Sequence, residues 1–181
     1  MSEPIVRALR IALLLTTLAM SSIEHLHAQA RQGALEVGIN AGPFLLMASG
    51  GRETIGVLGL FGEPRVDYFI FDKLEVGVTG FFYRSLDSDP SLPSVSFGGA
   101  YGHVNYHFNA GNTVSPYIGI RLGAFTHNAV SVFGLGPQFG LKFFVTRELS
   151  INGQLSAAVY PTSEGAAFLS CFGLGLSYHI Q

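Results

Sequence analysis

The segment Phe168-Leu169-Ser170-Cys171-Phe172-Gly173-Leu174-Gly175-Leu176-Ser177-Tyr178-His179-Ile180 decides the fold. Phe168, Ser170, Phe172, Leu174, Leu176, Tyr178 and Ile180 form one series, apolar but for one serine. Cys171, Gly173, Gly175, Ser177 and His179 form the other, small or polar. A period of two is that of a β-strand, whose successive side chains point to opposite faces.

Upstream the same alternation recurs. Leu35, Val37, Ile39 and Ala41 oppose Glu36, Gly38, Asn40 and Gly42. Val76, Val78, Gly80 and Phe82 oppose Glu75, Gly77, Thr79, Phe81 and Tyr83. Gly102, Val104, Tyr106 and Phe108 oppose Tyr101, His103, Asn105 and His107. Further strands are read around Ile118–Ala124, Phe139–Val145 and Leu149–Leu155. The segment 54–70 carries Pro64 and is less regular, which predicts a bend or bulge there. Its second half still sets Val66, Tyr68 and Ile70 against Glu63, Arg65, Asp67 and Phe69. The count is eight strands.

Composition narrows the setting. Of 181 residues, 48% are hydrophobic and 12% charged, and 23 are glycine. Soluble domains carry about 25% charged residues, and a disordered chain needs low hydrophobicity with high charge. Ten Lys+Arg against 12 Asp+Glu leave no basic excess for nucleic acid. One cysteine excludes an intrachain disulfide framework. Residues 1–30 read as a secretory signal: Arg7 and Arg10, then an apolar run from Ile11 to Met20, then Ala28-Gln29-Ala30 as a cleavage site. The barrel domain is expected over residues 31–181. Beyond Ala30 no run of 18 apolar residues exists, so no helix is expected to cross a membrane.

Eight alternating strands allow a soluble sandwich or a membrane barrel. A soluble sheet needs a charged exterior, for which the charge is too sparse. A transmembrane barrel turns apolar residues out to lipid and polar residues and glycine in, and closes so that no strand edge is left unpaired. The expected fold is therefore all-β, an eight-stranded antiparallel up-and-down transmembrane barrel. Its inward charges are Glu36, Glu63, Arg65, Asp67, Glu75, Arg121 and Lys142, joined by His103 and His107. A lumen of this size is just filled by side chains, and acids and bases in near-equal number predict a mutually paired polar plug. No charge is expected on the lipid face.

The odd connections (46–53, 85–94, 128–131, 161–166) average longer than the even ones (71–73, 109–114, 146–148), which predicts odd loops outside the cell and even turns in the periplasm. Tyr68, Tyr106, Phe143 and Tyr178 are placed as an aromatic girdle at the inner interface.

Tyr68-Phe69 followed by Leu74-x-Val76-Gly77, and Pro116-Tyr117-Ile118-Gly119-Ile120-Arg121-Leu122-Gly123, resemble the small single-domain outer-membrane β-barrels of the OmpA/OmpX type across residues 35–180. The C-terminal alternation resembles that family's assembly signal, here ending Tyr178-His179-Ile180-Gln181. The resemblance implies the bacterial outer membrane, outer-membrane lipids and the barrel-assembly machinery as partners, and a monomer with a structural or surface-interaction role. No cofactor, metal or catalytic group is assigned.

The sequence leaves room for two other functions. A conduit for small hydrophobic molecules would use Phe61, Phe81, Tyr83, Phe125 and Phe144 along an upper lumen. A lipid A-modifying enzyme would need a serine–histidine pair near the outer rim, for which His127, Ser131 and Glu164 are the available groups. His103 and His107 lie about 13 Å apart at ~3.3 Å per residue, too far to share one ion. Cys171 reads as an inert packing residue. Gly136-Pro137 precedes no helix and is no phosphate loop.

Overall fold

The computed structural model describes residues 32–50, 53–85, 96–110, 112–127, 130–162 and 165–180. Residues 1–30, expected as a secretory signal, lie outside them, as do Glu164 and most of the 85–94 loop. Eight strands follow in order: β1 (Leu35–Gly50), β2 (Glu53–Phe71), β3 (Leu74–Ser85), β4 (Ser96–His107), β5 (Val114–His127), β6 (Val130–Phe144), β7 (Leu149–Thr162) and β8 (Gly165–Ile180). Each pairs antiparallel with its sequence neighbours, and β8 closes on β1.

The register fixes the barrel's geometry. Val37 leads through Val66, Val78, Gly102, Leu122, Leu135, Val159 and Phe168 back to β1, arriving at Met47. That stagger of ten residues tilts the strands by about 40° from the barrel axis. Alternation sorts the faces as read from sequence: Ile39, Val78, Ile120, Leu135, Leu155 and Leu174 are exposed outside, while Glu36, Asp67, Glu75 and Lys142 are buried inside.

Pro64 makes no β-bulge. It keeps Ile39 as its partner on β1, while the β2–β3 ladder skips residues 63–64 and resumes in the same register at Arg65↔Thr79. Pro43 and Pro137 behave likewise, each interrupting one ladder only. A proline removes a single backbone donor, and a strand hydrogen-bonded on both sides survives that loss. The irregularity on β2 falls instead between Phe69 and Phe71, beside the turn.

Loop lengths do not separate the two ends of the barrel, contrary to the sequence expectation. β1 runs on to Gly50, β2 starts at Glu53, and β6 begins at Val130, leaving residues 51–52, 128–129 and 163–164 as connections no longer than the 72–73 turn. Every added ladder residue satisfies backbone groups, so the hairpins extend into stretches whose side chains looked like loop. Only 86–95 is long.

Part of the glycine excess is steric. The Tyr117 ring lies where a Cβ on Gly140 would stand, and Tyr160 covers Gly134 in the same way. Gly136 approaches the Ala157 carbonyl and Ala158 Cα, which are backbone and cannot swing aside. Gly136→Ala is expected to destabilise the barrel by about 1–3 kcal/mol, measured as a lower urea midpoint in detergent micelles.

Candidate functional site

The lumen is divided into two layers. The half nearer the even-numbered turns is polar, and the half nearer the odd-numbered loops is aromatic.

Glu75 is the hub of the polar layer. Its Oε1 accepts from Arg65 (2.8 Å) and Asn105 (2.7 Å). Its Oε2 accepts from Lys142 Nζ (2.7 Å) and faces His107 Nε2 at 3.1 Å. Lys142 also donates to Glu36, and Arg65 donates to Asp67. Arg65 lies 3.8 Å from Glu36. Tyr117 donates to Gln154 (3.0 Å), Asn152 to Ser177 and Gln138 to Asn105, so neutral groups fill the space between the charges. Glu75 and Lys142 are thereby satisfied as buried charges must be, while Glu36 Oε1 and Asp67 Oδ1 are held by ion pairing without a hydrogen bond of their own. Phe69, Phe144 and Ala34 cover this layer from below.

Gly77 makes part of the cluster possible. It stands between Asp67 on β2 and His103 on β4, and a Cβ there would run into both side chains. Over this gap His103 Nε2 approaches Asp67 Oδ1 to 2.8 Å. Asp67, Glu75 and His103 each bring a ligand atom within 4.8 Å of the others. Both Glu75 oxygens are already held by four donors, and Arg65 rests against both carboxylates.

Two serine–histidine–carboxylate chains occur at this level. Ser115 Oγ meets His107 Nδ1 at 3.0 Å, with Glu75 beyond. Ser150 Oγ meets His179 Nε2 at 2.9 Å, with Glu36 beyond at 3.5 Å. Both serines are fully buried. A nucleophile must reach its substrate, and these meet only one another's network.

At mid-height Arg121 lies 3.6 Å from Glu63 and 4.9 Å over the Tyr101 ring. Above it come the rings of Phe44, Phe61, Phe81, Tyr83, Phe97, Tyr101 and Tyr160, with Leu169 and Cys171. Tyr83 is central: stacked on Phe97 (4.7 Å), edge-on to Phe44 (4.9 Å) and Phe81 (5.0 Å), its hydroxyl donating to Glu63 at 3.2 Å.

All nine polar residues expected in the lumen are buried. Tyr68, Tyr106, Phe143 and Tyr178 lie on the outer face toward the even-turn ends of their strands. Phe61, Phe81, Tyr83 and Phe125 meet in the aromatic layer, but Phe144 does not. It closes β6 at the opposite end, against Phe69, because inward parity says nothing about height. The outer face also carries one charge that was not expected. β3 extends through Arg84, which is exposed and paired with Leu60 and Ser96. Leu74 and Arg84 are separated by ten residues along this tilted strand, or roughly 25 Å of height, which is the height of a barrel's apolar band. Sequence reasoning missed Phe44, Phe97 and Tyr160, although their alternation with exposed neighbours was available. Of the rim groups, Ser131 shares a hydrogen bond with Thr126 (2.8 Å).

A closed eight-stranded barrel with apolar side chains outside and charges within is a transmembrane β-barrel. Solved structures that share this fold include three outer-membrane or surface barrels. Neisserial surface protein A superposes with a TM-score of 0.65 at 16% identity, covering 81% of this chain and 99% of its own. The outer membrane protein OprG of Pseudomonas aeruginosa gives 0.59 at 13% identity, covering 86% and 99%. Ail, the attachment invasion locus protein of Yersinia pestis, gives 0.54 at 14%, covering 82% and 99%. No protein-family model and no curated sequence matches the chain. The likeness to small OmpA/OmpX-type barrels therefore stands at the level of fold.

Proposed function

We propose that this chain is a monomeric outer-membrane barrel with a plugged lumen, serving a structural or surface-interaction role and not an enzymatic one. In this reading residues 1–30 are removed near Ala30, the barrel-assembly machinery inserts the remainder, and the single long connection, 86–95, lies outside the cell, so that the even-numbered turns face the periplasm. The observation that carries it is the filling of the lumen: ion-paired side chains in one half and contacting rings in the other. The solved barrels that share the fold are described as outer-membrane or surface proteins, which supports the same location.

The aromatic layer favours a second reading, a conduit for small hydrophobic molecules entering past Phe125 and Phe81. One experiment separates the two. Purified barrel in a planar bilayer is expected to give no conductance steps, and in liposomes no uptake of ions or of a small aromatic solute. Aromatic uptake without ion conductance would favour the conduit. Steady ion conductance would overturn the plug.

A further inference from the structure

On the outer face of β6, β7 and β8 one side chain is missing from an otherwise filled surface. Phe139, Leu155 and Phe172 form one cross-strand row. Phe143, Ile151 and Leu176 form another, and between them Leu141 and Leu174 flank Gly153. The result is a groove of about 540 Å³ floored by Gly153 and walled by Phe139, Leu141, Phe143, Leu155, Phe172 and Leu174. Phe143 lies one residue before the end of β6, where residues 145–148 turn into β7 and expose Arg147.

We propose that this groove holds one acyl chain of a glycerophospholipid whose phosphate meets Arg147. The inference rests on the membrane-spanning reading above, with the even-numbered turns at the headgroup level. Three observations choose this occupant. The walls are hydrocarbon and aromatic, and lie on the lipid-facing side. The groove starts beside a turn that exposes Arg147, a partner for an anionic headgroup, next to Glu148, whose carboxylate takes the Thr146 hydroxyl at 3.3 Å. From Phe143 to Phe139 and on to Phe172 it rises along the barrel, as a chain descending from that headgroup into the bilayer would. A lipid seated here gains van der Waals contact that a flat strand surface does not offer, because a gap beside packed side chains forfeits those contacts.

The test uses the folded full-length barrel in phosphatidylethanolamine–phosphatidylglycerol vesicles, with a trace of phosphatidylcholine carrying a diazirine in one acyl chain. After photolysis, label is expected to concentrate on peptides bearing Phe139, Leu141 and Leu155, well above the peptide bearing Ile120, which is 52% exposed on β5. Gly153→Leu fills the groove and is expected to abolish the excess. A Cβ there meets only Leu174 Cδ2, at 3.8 Å, so the variant has room to fold. Arg147→Gln is expected to lower the excess about fivefold. Equal labelling of the Ile120 peptide and the groove peptides overturns the proposal while leaving the membrane-spanning reading intact. Groove peptides that lose their label as the protein-to-lipid ratio is raised, while the Ile120 peptide keeps its own, overturn it in favour of a second copy of the chain. Absence of label from every outward strand overturns the membrane-spanning reading itself, and the groove proposal with it.

Discussion

Glu75→Ala is expected to lower the unfolding free energy of the barrel by about 3–5 kcal/mol, the cost of removing one partner from a buried ion pair. The carboxylate receives Arg65, Asn105, His107 and Lys142 at once. Alanine withdraws the acceptor from all four and leaves Lys142 with Glu36 alone. No water-exposed path relieves the loss, since both Glu75 and Lys142 are fully buried. Glu75→Gln keeps an acceptor oxygen and the shape, so its cost should be smaller. The measurement is equilibrium urea unfolding in micelles, followed by the gel-mobility difference between folded and heated barrel. An alanine variant within 1 kcal/mol of the parent would mean that the network is not load-sharing in the way the geometry describes, on the scale of a buried pair.

Tyr83→Ala should cost a comparable amount, about 3–5 kcal/mol, for a different reason. Large-to-small replacement in a packed core loses the transfer free energy of the ring and leaves a cavity. Tyr83 touches Phe44, Phe61, Phe81 and Phe97 and lends its hydroxyl to Glu63. Tyr83→Phe keeps the ring and removes only the hydroxyl, which isolates the hydrogen bond at about 1–3 kcal/mol. The two alanine variants also test the division of the lumen. Glu75 and Tyr83 share no partner, so the double variant should lose the sum of the single losses to within about 0.5 kcal/mol. A large departure from that sum would show that the polar and aromatic layers act as one unit.

Much of the fold was legible because a strand's period is local. Knowing that Glu36 alternates with Leu35 and Val37 is enough to set it opposite the lipid side, and the same holds for Asp67, His103 and Lys142. Strand ends were less legible. Gly50 and Glu53 carry the side chains of a loop, yet their backbones pair with each other across the β1–β2 hairpin. Phe144 marks the other limit: inward parity was right, but its height was not, since height depends on how strands slide past one another.

By itself the sequence determined the number of strands, the face on which each strand residue lies, and the inside-out polarity of the barrel, all of which follow from alternation and sparse charge. The partnerships inside the lumen were decided by the tertiary structure alone. Glu36 and Lys142 are 106 residues apart in sequence, and they meet only because β8 closes on β1 with a ten-residue stagger. The groove over Gly153 has the same origin. Gly153 is one of many glycines along the chain, and it becomes a socket only when the register sets Leu141 and Leu174 on either side of it. Faces are a property of each strand, whereas contacts are a property of the shear that joins them.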